Sequence, residues 1–351
     1  MSHTHEAGWA HADGALKGPS WLRQPADPNE LVQHLWSRTA RKDDGVLSVG
    51  GVALPDLVAE HGSPAYVLDE ADFRARAAAF RDGFDDFDVF YAGKAFLCTT
   101  VARWIHEEGL HLDVCTGGEL AVAERAGFPM EKVGFHGNNK SPQELKEALE
   151  HSIGWVVVDS FHEIQLLDRL AGEAGKTQDI LVRVSPGIDP HTHVYTTTGT
   201  LDSKFGFSIQ TGHAAEAIRM GLAAKNLNLR GLHFHLGSPI FELEPYRVAT
   251  DLVLRFAAEF REEGLEMQRF SPGGGFAIAY TRDDAPPEIG DYAEAIVSTM
   301  TSPCADLGMD IPELIIEPGR SIIGPAGVAL YQIGAIKEIP GVRKYVSVDG
   351  G

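Results

Sequence analysis

The sequence contains few cysteines. Its 351 residues include three, Cys98, Cys115 and Cys304, which are odd in number and far apart along the chain. Small secreted proteins often use paired cysteines to staple their cores, whereas cytosolic proteins keep their thiols reduced. We therefore expect no disulfide framework, and the cysteine content favours a cytoplasmic protein.

Basic residues and long apolar runs are scarce as well. The chain has 30 lysines and arginines against 50 aspartates and glutamates, which gives a formal net charge of −20. This charge disfavours nucleic acid and anionic membranes as partners, although a local pocket can still bind a small anion. No apolar run approaches the ~20 residues of a membrane-spanning helix, so we expect no membrane partner.

The first residues are polar and include His3, His5 and His11. They lack the apolar core of a secretion signal. Three nearby histidines could bind a metal, but a solvated and poorly ordered tail is the simpler interpretation. We predict such a tail and no metal.

Two patterns alternate along the middle of the chain. Short apolar, β-branched runs are separated by amphipathic stretches, at a spacing close to the ~30 residues of a βαβ step. We predict eight strands: Val89–Ala92, Leu110–Val114, Lys132–Phe135, Gly154–Val158, Ile180–Val184, Arg230–His235, Gln268–Ser271 and Leu314–Glu317. Helix candidates between them include Thr99–Glu108, Gly118–Ala126, Pro142–Glu150 and Gly212–Ala224. Eight such units indicate an α/β protein with a (β/α)8 TIM-type barrel, although a doubly wound open sheet has the same periodicity.

The unusual residues favour the barrel over the open sheet. Polar or glycine-rich residues follow nearly every run at its carboxyl end. A barrel gathers all these ends around one mouth, whereas an open sheet spreads them along an edge. In chain order they are Lys94, Asp113, Cys115, His136, Asn138, Asn139, Asp159, Arg183, His233, His235, Ser238, Gly273–Gly275, Glu317 and Arg320.

Segments on both sides of the barrel also have strand character. Ala65–Leu68, Gly327–Ala335 and Tyr345–Val348 are apolar and β-branched, and could pair into a small β domain built from both chain ends. We predict an N-terminal segment (1–65) that contributes to this β domain, the barrel (66–324), and the beginning of the C-terminal part of the β domain (325–351).

Lys94 and Glu317 each follow or end an apolar strand. Lys94, in VFYAGKAF, is either a surface lysine or a Schiff-base lysine, since desolvation lowers an amine pKa and frees the nucleophile. Glu317 ends LIIE, where a buried carboxylate needs a partner. That partner is either Arg320 or Arg183 in an ion pair, or a protonated pyridine nitrogen, which turns a pyridoxal ring into an electron sink.

Two glycine-containing loops suit an anion. The run SPGGGF contains Gly273–Gly275, where backbone N–H groups can approach a ligand closely. Three glycines are usually only a turn, but this loop and EPGR follow the seventh and eighth strands, where barrels commonly bind phosphate. In EPGR, Pro318 and Gly319 lead to Arg320, a donor for phosphate or carboxylate.

The run HFHLGS allows three interpretations. As a strand it places His233 and His235 on the same side, where they are either core histidines or a metal pair. Alternatively, His235 lies flat against an aromatic cofactor and Ser238 binds its phosphate. The metal interpretation gives no role to Lys94, the glycine run or Arg320, whereas the cofactor interpretation uses them all.

Taken together, these motifs resemble those of the group III pyridoxal-phosphate decarboxylases. The resemblance extends from about Ser63 to the last residue, through FYAGKAF, LDVCTGGEL, HGNNKS, VVDS, KFGF, HFHLGS, GGGFAIAY, PPEIGDYA, EPGRSI and YVSVDGG. GGGFAIAY and PPEIGDYA are more similar to the diaminopimelate branch than to the ornithine/arginine branch. The resemblance implies a homodimer that uses pyridoxal 5′-phosphate to convert meso-2,6-diaminopimelate to L-lysine and CO2, the last step of bacterial lysine biosynthesis.

The resemblance also implies roles for particular residues. Lys94 would hold the cofactor, His235 would stack on its ring, and Glu317 would bind the ring nitrogen. Arg320 would also contact a substrate carboxylate. The residues expected around the phosphate, the substrate and the ring are Ser238, Gly273, Gly274, Gly275, Pro318, Gly319, Arg320, Asp113 and Arg183.

Two departures from the family keep other functions open. Pro239 stands where the family has glutamine, and family members continue beyond VDGG into a segment that carries the proton donor and dimer contacts. The resemblance therefore implies that the 351 residues alone bind cofactor but turn over substrate poorly. The alternatives are a non-catalytic pyridoxal-phosphate-binding or regulatory protein, an ornithine/arginine-type decarboxylase, and a metal hydrolase using His233 and His235.

Overall fold

A computed structural model of the chain describes residues 27, 29–188 and 203–350. The three N-terminal histidines, for which we predict a disordered tail, lie outside the described residues. The described chain begins with a small antiparallel sheet of strands β1 (Arg41–Asp43), β2 (Val46–Val49) and β3 (Val52–Ala53), followed by helix α1 (Leu54–His61) and strand β4 (Ala65–Leu68).

Eight parallel strands then form a closed barrel. They are β5 (Asp88–Ala92), β6 (His111–Val114), β7 (Val133–Phe135), β8 (Trp155–Val158), β9 (Gln178–Ser185), β11 (Leu227–His233), β12 (Arg269–Gly273) and β13 (Glu313–Ile316), with the short β10 (Phe207–Ser208) paired to β9. Pairing proceeds from β5 through β9 to β11, β12 and β13, and β13 pairs with β5 to close the ring. The predicted barrel is confirmed, and the open sheet is excluded.

Helices surround the barrel strands. They are α2 (Glu70–Gly83), α3 (Thr99–Glu107), α4 (Gly117–Ala126), α5 (Pro142–His151), α6 (Phe161–Glu173), α7 (His213–Ala223), α8 (Glu244–Ala258), α9 (Ile289–Leu307) and α10 (Arg320–Ile323). Several begin at side-chain caps, because a loop residue can satisfy an orphan N–H of the first turn. Ser141 begins α5 in a capping box with Glu144, and Ser160 caps α6. None of the described helices is long and apolar enough to cross a membrane.

Apolar side chains fill the barrel in two layers. The main cluster lies between the strands and the helices, whereas Phe90, Trp155, Val157, Leu181 and Ile315 form a separate cluster from four strands. Because side chains alternate along a strand, this second cluster fills the barrel interior. The barrel interior is therefore packed with apolar side chains below the polar residues at the carboxyl ends of the strands.

Both ends of the described chain meet beside the barrel. Strand β14 (Gly327–Leu330) pairs antiparallel with β4, and β15 (Ile333–Ile339) pairs with β16 (Arg343–Val348). The predicted run Gly327–Ala335 is thus two strands rather than one. The hairpin of β15 and β16 exposes apolar side chains, among them Ile336 and Val346, which face each other in register.

Candidate active site

The carboxyl ends of the strands surround a pocket of about 610 Å³. This volume is in the range of small-molecule sites. Its wall includes Lys94, Cys115, His136, Asn138, Arg183 and His235. The structure therefore brings together side chains that follow five different predicted strands.

Lys94 enters this pocket from a tight turn after β5. The neighbouring Gly93 is needed there, because a Cβ on it would lie 2.8 Å from the backbone oxygen of Asp113. Burial lowers the pKa of Lys94, but Asp113, Cys115 and Glu317 raise it, and the net pKa lies above its usual value. Desolvation lowers this pKa as expected, but the carboxyl groups of Asp113 and Glu317, which the barrel places nearby, outweigh its effect.

Glu317 follows β13 and is buried among hydrogen-bond donors. Ser271 Oγ donates to Oε1 at 2.7 Å, and His233 Nε2 lies 3.2 Å from Oε2. Burial would raise the pKa of Glu317, but His233, His136 and Lys94 lower it well below its usual range. The carboxyl group is therefore an anion, and it forms no ion pair with Arg183 or Arg320 in the described part of the chain.

Asp113 on β6 has the opposite environment. It is fully buried, and neither carboxyl oxygen has a hydrogen-bond partner among the described residues. Burial raises its pKa well above the usual value, although Lys94 opposes this effect. The pKa values of two neighbouring carboxyl groups are thus shifted in opposite directions, an arrangement that is typical of active sites.

His235 lies beyond the end of β11 rather than within it. The predicted strand Arg230–His235 ends at His233, so the two histidines do not follow simple strand alternation. The backbone N–H of Gly274 donates to His235 Nδ1 at 3.2 Å, and burial lowers the pKa of His235 to about 3. The imidazole is therefore neutral and held by the glycine loop.

The glycine loop approaches its neighbours too closely for any side chain. Gly273 has a φ of +76°, and a Cβ there would lie 2.6 Å from His235 Nδ1. A Cβ on Gly274 would lie 2.0 Å from the Glu317 backbone oxygen, and one on Gly275 would lie 2.3 Å from that of Gly237. These glycines therefore interlock the loops after three strands.

The remaining predicted residues lie around these loops. Ser238 is exposed beside the glycine loop, where the Ile240 N–H donates to the Gly275 oxygen at 2.8 Å. The Pro318 oxygen accepts from Ala92 N–H at 2.9 Å, and a Cβ on Gly319 would lie 3.0 Å from Ala92 Cβ. Pro318 and Gly319 therefore pack the loop after β13 against the carboxyl end of β5.

The two arginines have different surroundings. Arg320 is exposed and donates to the Tyr280 hydroxyl. Arg183 on β9 places its guanidinium 4.4 Å from the centre of the Phe205 ring. Burial lowers the pKa of Arg183, while Asp159 and Glu317 oppose this effect.

Sequence reasoning gave no role to three residues of the site: His136, Ser271 and Tyr280. Their contacts join distant parts of the chain, and a single run of sequence does not show them. Ser271 had one signal, since it precedes the glycine run on the strand next to the one that Glu317 follows.

Lys140 anchors the loop after His136 by donating to Glu163 at 2.7 Å and to the Val157 oxygen at 2.8 Å.

His235 does not belong to the cluster of possible metal ligands that His233 joins. Among the described residues, the group whose ligand atoms lie within 4.8 Å of one another is His136, His233 and Glu317, without His235. The contact of His233 with Glu317 has the length of a hydrogen bond.

Comparison with known proteins identifies relatives of this arrangement. Residues 70–324 match the family model described as the pyridoxal binding domain of pyridoxal-dependent decarboxylases. The diaminopimelate decarboxylase of Mycobacterium leprae is 43% identical over 99% of this chain and 77% of its own length. The Bacillus subtilis diaminopimelate decarboxylase is 45% identical over 89% of this chain and 73% of its own length.

A solved structure has the same architecture. The diaminopimelate decarboxylase of M. jannaschii, solved in complex with L-lysine, superposes with a TM-score of 0.84 at 34% identity. The match covers 90% of this chain and 74% of that one.

Proposed function

The chain belongs to the diaminopimelate decarboxylase family of pyridoxal-dependent decarboxylases, and from this membership we propose that it converts meso-2,6-diaminopimelate to L-lysine and CO2. Its cofactor is pyridoxal 5′-phosphate. The observation that carries the proposal is the presence of Lys94 and the buried anion Glu317 at one barrel mouth, close enough for each to shift the pKa of the other.

The residues of the mouth fit this cofactor. It requires an amine for its aldehyde, an anion for its ring nitrogen and donors for its phosphate. Lys94 supplies the amine, and Glu317 supplies a buried anion whose pKa is well below its usual range. The loops that contain Gly273–Gly275 and Gly319 allow close backbone approach, and the unpartnered oxygens of Asp113 provide further polar groups.

When bound, the cofactor withdraws the electron pair that remains on the substrate after CO2 leaves. We propose that Glu317 keeps a proton on the ring nitrogen and that the neutral His235 imidazole packs on the ring face. Lys94 would hold the cofactor through its amine, which must lose a proton to do so, because the neighbouring carboxyl groups raise its pKa. Asp113 and Arg183 would lie beside the ring.

The phosphate and substrate contacts are part of the same proposal. The phosphate would lie among the loops that pack on one another at the strand ends. The residues around it would be Ser238, Gly273–Gly275, Pro318 and Gly319. Arg320 binds the phosphate side or a substrate carboxylate, and its contact with Tyr280 orients the guanidinium.

We further propose the organisation in which this site operates. The proposed division is a cofactor-binding barrel (66–324) flanked by segments 1–65 and 325–351 that contribute to a β domain. Strand β4, at the boundary of the first segment, pairs with β14 of the second. The protein acts as a homodimer in the cytoplasm. The proposed cytoplasmic location is supported by the three cysteines, Cys98, Cys115 and Cys304, all of which are free thiols.

A substrate comparison tests the proposal. Purified protein is incubated with pyridoxal phosphate and, separately, with meso-diaminopimelate, ornithine or arginine, and the released CO2 and amine product are measured. We expect equal amounts of lysine and CO2, formed slowly, from diaminopimelate alone. Preference for ornithine or arginine would identify the other branch, and cofactor binding without turnover of any substrate would indicate a regulatory protein.

A further inference from the structure

The two buried carboxyl groups of the barrel mouth differ in their hydrogen-bond donors. Glu317 receives the Ser271 hydroxyl at 2.7 Å and faces His233 Nε2 at 3.2 Å. Asp113 receives no hydrogen bond from any described residue. Both side chains are almost completely buried, so burial alone does not distinguish them.

His233 is placed to act as a donor to Glu317. Burial lowers the pKa of His233, so its ring is neutral and has one N–H. Its Nδ1 has no partner among the described residues, whereas Nε2 lies 3.2 Å from the carboxylate. In the tautomer with the proton on Nε2, His233 therefore donates a hydrogen bond to the Glu317 carboxylate.

Ser271 is fixed as a donor by its second contact. Its Oγ accepts the backbone N–H of Gly273 at 3.1 Å. The hydroxyl proton is then directed to Glu317 Oε1. Because Gly273 belongs to the interlocked glycine loop, the position of Ser271 is set by the same contacts that form the mouth.

The other charged groups act on both carboxyl groups or add to the difference between them, since His136 lowers the pKa of Glu317 and Glu119 raises the pKa of Asp113. His136 Nε2 lies 3.5 Å from Asp113 Oδ1 and 3.7 Å from Glu317 Oε1, so it lies between them. Lys94 and Arg183 interact with both carboxyl groups. His233 and Ser271 supply the part of the asymmetry that comes from side-chain hydrogen bonds, and hydrogen bonds to a charged acceptor are the strong ones.

We propose that His233 and Ser271 are positioning residues that place the negative charge on Glu317 and leave a proton on Asp113. The placement of charge is a property of the protein itself. The role of this charge, which is to hold a proton on the ring nitrogen of the cofactor, rests on the proposed function. A neutral Glu317 would have no charge with which to hold that proton.

The first test uses cofactor-free protein and infrared spectroscopy. Selective ¹³C labelling of aspartate or glutamate carboxyl groups identifies which residue type gives a carboxylic-acid band at neutral pH. We expect an aspartate band that Asp113→Asn removes and Glu317→Gln retains. We also expect the pair of changes His233→Leu and Ser271→Ala to produce a new glutamate band. An Asp113→Asn spectrum equal to that of the unchanged protein, or no new band in the double variant, would overturn the inference.

The second test uses cofactor labelled with ¹⁵N at the ring nitrogen. Its chemical shift is followed against pH in the unchanged protein, in His233→Leu, and in His233→Gln, which keeps an N–H donor near the Nε2 position. We expect His233→Leu to lower the pH of ring deprotonation by about one to two units, the shift that corresponds to one hydrogen bond to a charged group. His233→Gln should restore most of this shift.

A matched control separates this effect from the loss of any buried histidine. His111 lies on β6 next to Phe90, toward the other end of the barrel, and His111→Gln should leave the ring titration unchanged. Equal titrations in His233→Leu and the unchanged protein would contradict the inference. If the unchanged protein binds no cofactor, the proposed function fails, while the infrared comparison still decides where the charge lies.

Discussion

Glu317 shows how neighbours determine the chemistry of a single residue. Its side chain is 4% exposed, and an unpartnered charge at that depth would be costly. The hydrogen bonds from Ser271 and His233 stabilise the anion. In the proposed function, this anion is the partner of the ring nitrogen of the cofactor.

Replacement Glu317→Gln keeps the size of the side chain and removes its charge. We expect kcat to fall roughly 10- to 100-fold, which corresponds to the loss of one hydrogen bond between charged groups. KM for diaminopimelate should change little, because the substrate carboxylates do not contact this residue in the proposed arrangement. Steady-state kinetics measure both constants, and a near-normal kcat would exclude the proposed role.

At the scale of elements, the site is built from loops that interlock after the strands. The glycine loop after β12 contacts the loops after β11 and β13, and these contacts leave no room for a Cβ. Strand ends alone would not hold a ligand rigidly. The glycines allow the loops to pack on one another.

Gly274→Ala tests this packing. Its Cβ would lie 2.0 Å from the Glu317 backbone oxygen, which cannot rotate away. We expect a loss of about 1–3 kcal/mol in the free energy of unfolding, measured with urea, and weaker cofactor binding. Gly290→Ala is the control, because a Cβ on Gly290 in α9 meets nothing within 4 Å. Equal stability of the two variants would contradict the interlocked-loop description.

Asp159 joins β8 to the segment before β10 and provides a test by pH. Its side chain accepts the Gly206 N–H. Burial raises its pKa from 3.8 to about 6, although Arg183 lowers it. Because the folded protein binds this proton more tightly than the unfolded chain, the charge destabilises the fold above pH 6, and that penalty disappears as the pH falls toward 4.

We therefore expect Asp159→Asn to stabilise the protein at pH 7.5 by up to about 3 kcal/mol, with much less effect at pH 4.5. Urea unfolding at the two pH values measures the difference. The exposed Asp283→Asn is the control and should have little effect at either pH. A gain for Asp159→Asn that does not depend on pH would show that the charge is not its cause.

For the whole molecule, the sequence predicts the barrel but not the contacts inside its mouth. All eight strands are confirmed, because each apolar run is short and bounded, and the polar residues at the carboxyl ends indicate closure. The contact of Ser271 with Glu317, the position of His136 and the raised pKa of Lys94 depend on register between distant strands. Strands β1–β3 were not expected, because their segment is polar and short.

A homodimer is the whole-molecule prediction. The hairpin of β15 and β16 exposes Ile336 and Val346, which offers apolar surface for a second copy. We expect sedimentation velocity to give a dimer, and the combined changes Ile336→Asp and Val346→Asp to shift it toward monomer. Ile311→Asp, at another exposed apolar position, should not do so. A monomer at all concentrations would disprove the prediction.

The proposed function depends above all on Lys94 as the residue that holds pyridoxal phosphate in this barrel. The most direct measurement is to reduce the cofactor-loaded protein with borohydride, digest it and locate the modified lysine by peptide mass. We expect modification of Lys94 and none in Lys94→Ala, while Lys204→Ala, next to the pocket residue Phe205, is modified normally. Modification of any other lysine, or persistent stoichiometric modification of Lys94→Ala, would contradict it.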